Sequence, residues 1–266
     1  MTGLTRIALA SLLALALPAV AACKQPDSTP AKSDASADKP AQSAPVSFKR
    51  ETKAYTFGYE YPAQAAAIPA LAKLLDAERA DALAELEAAA SEAQADAKAN
   101  DYPFNPHSSE ISWKVAGDTD AILALAGEMF GFSGGAHGNS NYDALLWDKA
   151  AGKRITLEAL FTDAAPAMGL VRQPYCDALN AERVEKRGEY EATGDDMFEA
   201  CPPFDELSIL PYTGSDGRFD RLMLIAAPYV AGPYAEGVYE VTLPIPAAMR
   251  DLVKPQYRNA FSAAAR

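Results

Sequence analysis

Three kinds of side chain in this sequence could do chemistry: a serine in a glycine-rich turn, two histidines and three cysteines. The run Gly131-Phe132-Ser133-Gly134-Gly135 fits G-x-S-x-G, the pattern that presents a serine nucleophile on a strained strand-to-helix turn. Such a serine needs a base, and only His107 and His137 are available. His137 sits in the same glycine turn as Ser133, the turn leads into a strand pattern, and no histidine follows it. The order His107, Asp118 or Asp120, Ser133 spans too little chain for the two barrels of a chymotrypsin-like enzyme. No catalytic residue is assigned on this motif, because structural context and not the pattern confirms it. Neither histidine has a second close ligand and the aspartates lack calcium-loop spacing, so no metal and no cofactor is expected. The 36 acidic residues offer many carboxylate pairs for glycoside cleavage, and counting singles out none.

The cysteines say more. Arg6 leads into the apolar run 7–17, Pro18 breaks it, and Val20-Ala21-Ala22-Cys23 follows. The run is too short for a permanent bilayer span of roughly 20 residues, and small residues precede the cut, so 1–22 reads as a cleaved signal peptide. Its last four residues resemble the lipobox of bacterial lipoproteins, which implies that the thiol of Cys23 carries a diacylglycerol and tethers the chain to a membrane. Lys24 beside that cysteine is similar to the sorting signal of outer-membrane rather than inner-membrane lipoproteins. The expected location is therefore the cell envelope, in the periplasm. With Cys23 acylated, Cys176 and Cys201 remain to form a disulfide in an oxidising compartment. It would close a loop of about two dozen residues and stabilise the fold by roughly 3 kcal/mol.

These groups need elements to hold them. Residues 23–46 are almost wholly Pro, Ser, Ala, Asp, Lys, Gln and Thr and read as a flexible tether. Beyond it, Tyr55, Phe57, Tyr59 and Tyr61 alternate with polar residues or glycine, which predicts one strand over 48–61, ended by Pro62. Apolar residues recur at three- and four-residue steps over 65–99, from Ile68 and Leu71 to Ala93 and Ala97, which predicts a long amphipathic helix. Strands are expected over 109–115, 121–130 and 140–147, then near 155–157, 204–211, 218–225 and 238–243. Further helices are expected over 166–187 and 246–257. Strands outnumber helices and short turns join them, so the fold class is α+β with antiparallel sheets.

Three motifs occur in order: Gly134-Gly135-Ala136-His137-Gly138-Asn139, then Gly152 to Phe161, then Ala227 to Pro233 leading into Tyr239 to Pro244. Together they resemble paired DUF4163 and DUF3298 domains, placed here at 47–140 and 141–262. In that family the pair forms the outer part of a lysozyme-sensing anti-sigma factor and precedes the catalytic domain of some peptidoglycan deacetylases. Neither signalling nor deacetylation is expected to carry over, since the sequence shows neither a sigma-binding segment before a membrane helix nor a deacetylase domain after Tyr257. The resemblance implies a non-catalytic envelope module that binds a protein or a cell-wall glycan. His137 and Asn139 in the glycine turn, and Tyr229 and Tyr234 beside Pro228, Gly232 and Pro233, are the candidate binding residues. The formal net charge of −12 disfavours nucleic acid and anionic headgroups and favours a basic partner such as a lysozyme-like protein. The alternatives are a peptidoglycan-modifying enzyme and a structural lipoprotein of the outer membrane. Substituting Cys23→Ala is expected to abolish incorporation of labelled palmitate; a variant that still takes up the label would contradict the anchor.

Overall fold

A computed structural model describes residues 43–188 and 198–262. The expected signal peptide, the lipidated Cys23 and nearly all of the tether lie outside the described residues. The rest is an α+β fold of two sheets and two long helices. Its strands and helices are β1 (Val46–Glu51), β2 (Tyr55–Tyr61), α1 (Ala63–Ala66), α2 (Pro69–Ala99), β3 (His107–Asp118), β4 (Ile122–Phe132), β5 (Asn139–Asp148), β6 (Lys153–Ile155), α3 (Ala164–Arg187), β7 (Ser208–Thr213), β8 (Phe219–Ala226), β9 (Tyr239–Pro244) and α4 (Ala247–Asp251). The first sheet has the order β1-β2-β3-β4-β5-β6 and the second the order β7-β8-β9.

Tyr55, Phe57, Tyr59 and Tyr61 put their rings on one face of the first sheet, beneath Leu71, Leu75, Leu86 and Ala90 of α2. Two of the tyrosines satisfy their hydroxyls on that helix: Tyr55 donates to Glu87 Oε1 at 2.5 Å and Tyr61 to Asp76 Oδ1 at 3.2 Å. The Trp113 indole N–H donates to the Tyr59 hydroxyl oxygen at 3.2 Å. Burial pushes the Tyr59 phenol well above its ordinary pKa.

The strand expected over 48–61 is two strands, because Thr52 Oγ1 accepts the backbone N–H groups of Ala54 and Tyr55 at 3.1 and 2.9 Å and turns the chain. The pairing of β2 with β3 is parallel, against the antiparallel expectation, since the 31-residue α2 carries the chain back to the starting end of the sheet. Residues 204–206 are a 3-10 turn before β7, and the last helix stops at Asp251. Pro255 opens a separate 3-10 helix to Ala260, because the residue before a proline is steered into extended backbone, here ψ 143° at Lys254.

Successive residues of β4 serve two cores. Leu123 and Leu125 face α2 and the aromatic layer, while Ile122 and Ala124 face the opposite side. On β5, Leu145 and Trp147 join the first core and Leu146 the second. The second core is closed by β7–β9 and α3, with Val171, Tyr175 and Leu179 of the helix fully or almost fully buried. The strand β7 lies across β3, β4 and β5. It is fastened at both ends: the Ser208 hydroxyl donates to the Tyr142 carbonyl at 2.7 Å and Thr213 to the Ala116 carbonyl at 3.2 Å. The boundary expected between 140 and 141 falls inside β5, which extends the sheet of the first segment.

The C-terminal segment straps across this frame. The Tyr257 hydroxyl donates to the buried Asp148 Oδ2 at 2.6 Å, and Asp148 Oδ1 accepts the N–H groups of Ala150 and Ala151 in the β5–β6 turn. Burial alone would raise the Asp148 carboxyl, but these hydrogen bonds hold it below its ordinary 3.8. A depressed carboxyl stabilises the fold above its unfolded pKa and loses that contribution as pH falls through the folded one. Tyr257→Phe should therefore cost about 1–2 kcal/mol near pH 7 in urea unfolding. The gap to the parent should narrow as pH drops below about 3.8; a gap independent of pH would contradict this.

Candidate functional site

The turn between β4 and β5 and the connection between β8 and β9 meet at one end of the structure. Gly134 has φ +86°, a conformation that side chains resist, and its carbonyl accepts Asn105 Nδ2 at 2.9 Å. Gly138 is needed for space, since a Cβ there would lie 2.2 Å from the Phe130 ring. Between them His137 is exposed, and its Nδ1 lies 2.8 Å from the Gly138 carbonyl oxygen. A carbonyl only accepts, so Nδ1 carries the proton and, in the neutral ring, Nε2 is an acceptor.

The His137 ring stacks on Tyr234, with centroids 3.9 Å apart and planes 22° from parallel. Tyr229 lies 5.8 Å from Tyr234 at 30°, and its hydroxyl is 3.5 Å from His137 Nε2. Tyr229 is 51% exposed and has φ +74°. A bulky residue held in left-handed backbone is unusual and costs of order 1–3 kcal/mol, and such residues gather at functional sites. The backbone holds it there: Tyr229 N–H donates to the Gly232 carbonyl and Val230 N–H to the Ala227 carbonyl, both at 3.0 Å.

The last turn of α3 fixes this connection. Arg183 is fully buried; its Nε donates to the Ala231 carbonyl at 3.1 Å and its two terminal nitrogens to the Glu199 and Ala200 carbonyls at 2.9 Å each. Cys201, next along, is joined to Cys176 of α3 by a disulfide. Arg187 donates through Nε and Nη2 to the two carboxylate oxygens of Glu236 at 2.7 and 2.9 Å, and the Tyr239 hydroxyl donates to the same group. Although burial opposes it, these bonds hold the Glu236 carboxyl below its ordinary range. Lys186 reaches the Glu236 and Val238 carbonyls with its ammonium over the Tyr239 ring.

Three of the four candidate binding residues, His137, Tyr229 and Tyr234, are thus brought together. Asn139 is exposed at the first position of β5, opposite Gly131, and no side-chain hydrogen bond ties it to the rings among the described residues. Ser133 lies in a turn between two antiparallel strands, while His107 is buried at the start of β3 against Phe104. Among the described residues no group of three or more His, Cys, Asp and Glu side chains is placed to hold a metal. The sequence reading missed Arg183, Lys186 and Arg187. Their signal was three cations at i, i+3 and i+4 in a last helical turn, where they suit the helix dipole and face one side.

What the arrangement offers is an exposed π surface with hydroxyl and imidazole groups at its edge. Such surfaces take the apolar faces of sugars, aliphatic side chains or cations.

Residues 48–140 match the family model described as Deacetylase PdaC. The chain is similar to a crystal structure of a DUF3298 family protein from Pseudomonas aeruginosa PAO1, at 17% identity and TM-score 0.53, covering 83% of this chain and 97% of that one. It is also similar to a member of the DUF3298 family from Bacteroides fragilis NCTC 9343, at 15% identity and TM-score 0.51, covering 81% and 96%. No curated protein matches it. The fold is the one these DUF3298 proteins share.

The strain at Tyr229 can be read directly. Tyr229→Gly removes the left-handed penalty but adds backbone freedom to the unfolded chain, so it should be neutral to stabilising by up to about 1 kcal/mol. Chemical denaturation checks this, and a loss of 2 kcal/mol or more would mean that the ring is a structural support.

Proposed function

We propose that this protein is a non-catalytic, lipid-anchored module of the cell envelope that binds an envelope protein or a cell-wall glycan through the His137, Tyr229 and Tyr234 surface. A basic, lysozyme-like protein is the sharpest candidate partner. One observation carries the reading: an aromatic trio assembled from two distant loops, in which His137 and Tyr229 are exposed and Tyr234 between them is half-buried, with Tyr229 kept in strained backbone although half of it faces solvent. Residues that only fill a core have no need of such a conformation. The likeness to DUF3298 structures and the PdaC match support an envelope role. The lipobox-like residues before Cys23 support the anchor. The net charge of −12 supports a basic partner through long-range attraction. No helix among the described residues is long and apolar enough to cross a membrane.

The test is a binding assay of the purified chain against lysozyme and against muropeptides, at low and moderate salt. Micromolar binding to one of them is expected, weakened by at least about tenfold in Tyr229→Gly, as for an aromatic anchor worth more than about 1.4 kcal/mol. Muropeptide products should be unchanged by mass spectrometry after prolonged incubation. No binding to either at high micromolar protein would defeat the proposal, and an altered product profile would make the protein an enzyme.

A further inference from the structure

A recess lies between the two sheets. Since β7 packs closely on β3–β5 while β8 and β9 stand farther along, a cleft of about 270 Å³ remains, with Tyr142, Tyr212, Glu128, Glu240 and Lys114 among its lining residues. Tyr142 projects from β5 on the same face as Ala144 and Leu146, toward the second sheet. Glu128 sits directly across from it on β4 and Glu240 on the β9 side. Both carboxylates line the same cleft as the Tyr142 ring, and burial, followed by their negative charges, pushes its phenol above the ordinary pKa.

The charges in this cleft are not balanced. Lys114 pairs with Glu128 at 3.7 Å, both side chains well exposed, while Glu240 has no ion-pair partner among the described residues. We propose that the cleft is a binding pocket for one cationic side chain, a lysine or arginine of a basic protein partner, seated between Tyr142 and Tyr212 with its charge at Glu240. Aromatic faces and a carboxylate together select a cation on an aliphatic stem. The cleft is smaller than the roughly 300–1,000 Å³ that drug-sized ligands occupy, which suits a single side chain better than a stretch of glycan. The inference deepens the binding function above and rests on it for the partner's basic character. It adds a second contact, on side chains that the aromatic trio does not use.

Tetralysine amide titrated into the isotopically labelled full chain, followed by nuclear magnetic resonance, tests the pocket. Saturable shifts are expected at the amides of Gly127, Glu128, Tyr142 and Glu240. Glu240→Gln, an exposed position, should weaken binding about three- to tenfold, and the Nε-acetylated peptide should not bind. Tyr229→Gly should leave the tetralysine affinity unchanged, so this arm can fail while lysozyme or muropeptide binding stands, and the reverse. Equal affinity in Glu240→Gln, equal binding of the acetylated peptide, or shifts spread over the acidic surface without saturation would overturn the proposal. Tighter binding of spermidine at the same amides would overturn the assignment to a protein side chain.

Discussion

Burial of β4 and β5 on both faces is the constraint from which the rest of this structure follows. Alternate residues must satisfy two different neighbours: Leu123, Leu125, Leu145 and Trp147 fill the space beneath α2, and Ile122, Ala124 and Leu146 fill the space beneath the second sheet. A slip of one residue would exchange the sets and offer large side chains where small ones are required, so the register has a single good solution. Ala116 and Ala124 keep the second face shallow enough for β7 to lie across it. With β7 fixed at Tyr142 and Ala116, the direction of β8 and β9 is set, and their connection is carried to the exposed end of the β4–β5 hairpin.

Where those two loops meet, the fold spends stability on geometry. Arg183 is buried with its guanidinium on backbone carbonyls from two segments, and removing such a partner leaves several polar groups unsatisfied at once. The neighbouring Cys176–Cys201 bridge and the Arg187–Glu236 pair make the same region rigid. Rigid support of this kind is what a binding surface requires, because side chains that are already ordered lose little entropy when a partner arrives. Tyr229 in left-handed backbone is the other side of that arrangement: a local cost tolerated by surroundings that leave it no alternative.

Much of the scaffold was legible from periodicity. The alternation of Tyr55, Phe57, Tyr59 and Tyr61 marks a half-buried strand, and three- and four-residue spacing from Leu71 to Ala97 marks a helix face; both elements are present. The interruption at Thr52 was not legible, since it rests on one hydroxyl accepting two backbone N–H groups between residues that all suit a strand. The parallel pairing of β2 and β3 was hidden for a different reason: it depends on where a long helix delivers the chain, and local sequence carries no record of that. The site was half visible. Glycines and aromatics flagged each loop separately, but nothing in the sequence brings His137 to Tyr234 or shows that Arg183 holds their support. Those are long-range consequences of the second sheet lying across the first.

The central claim is that the aromatic trio is a binding surface. Its most direct measurement is a titration of the purified chain with lysozyme or muropeptides in which the ring resonances of His137, Tyr229 and Tyr234 are followed by nuclear magnetic resonance. The account predicts that these three rings shift together and saturate at the stoichiometry of the complex. Saturable binding that leaves all three rings unperturbed would contradict it.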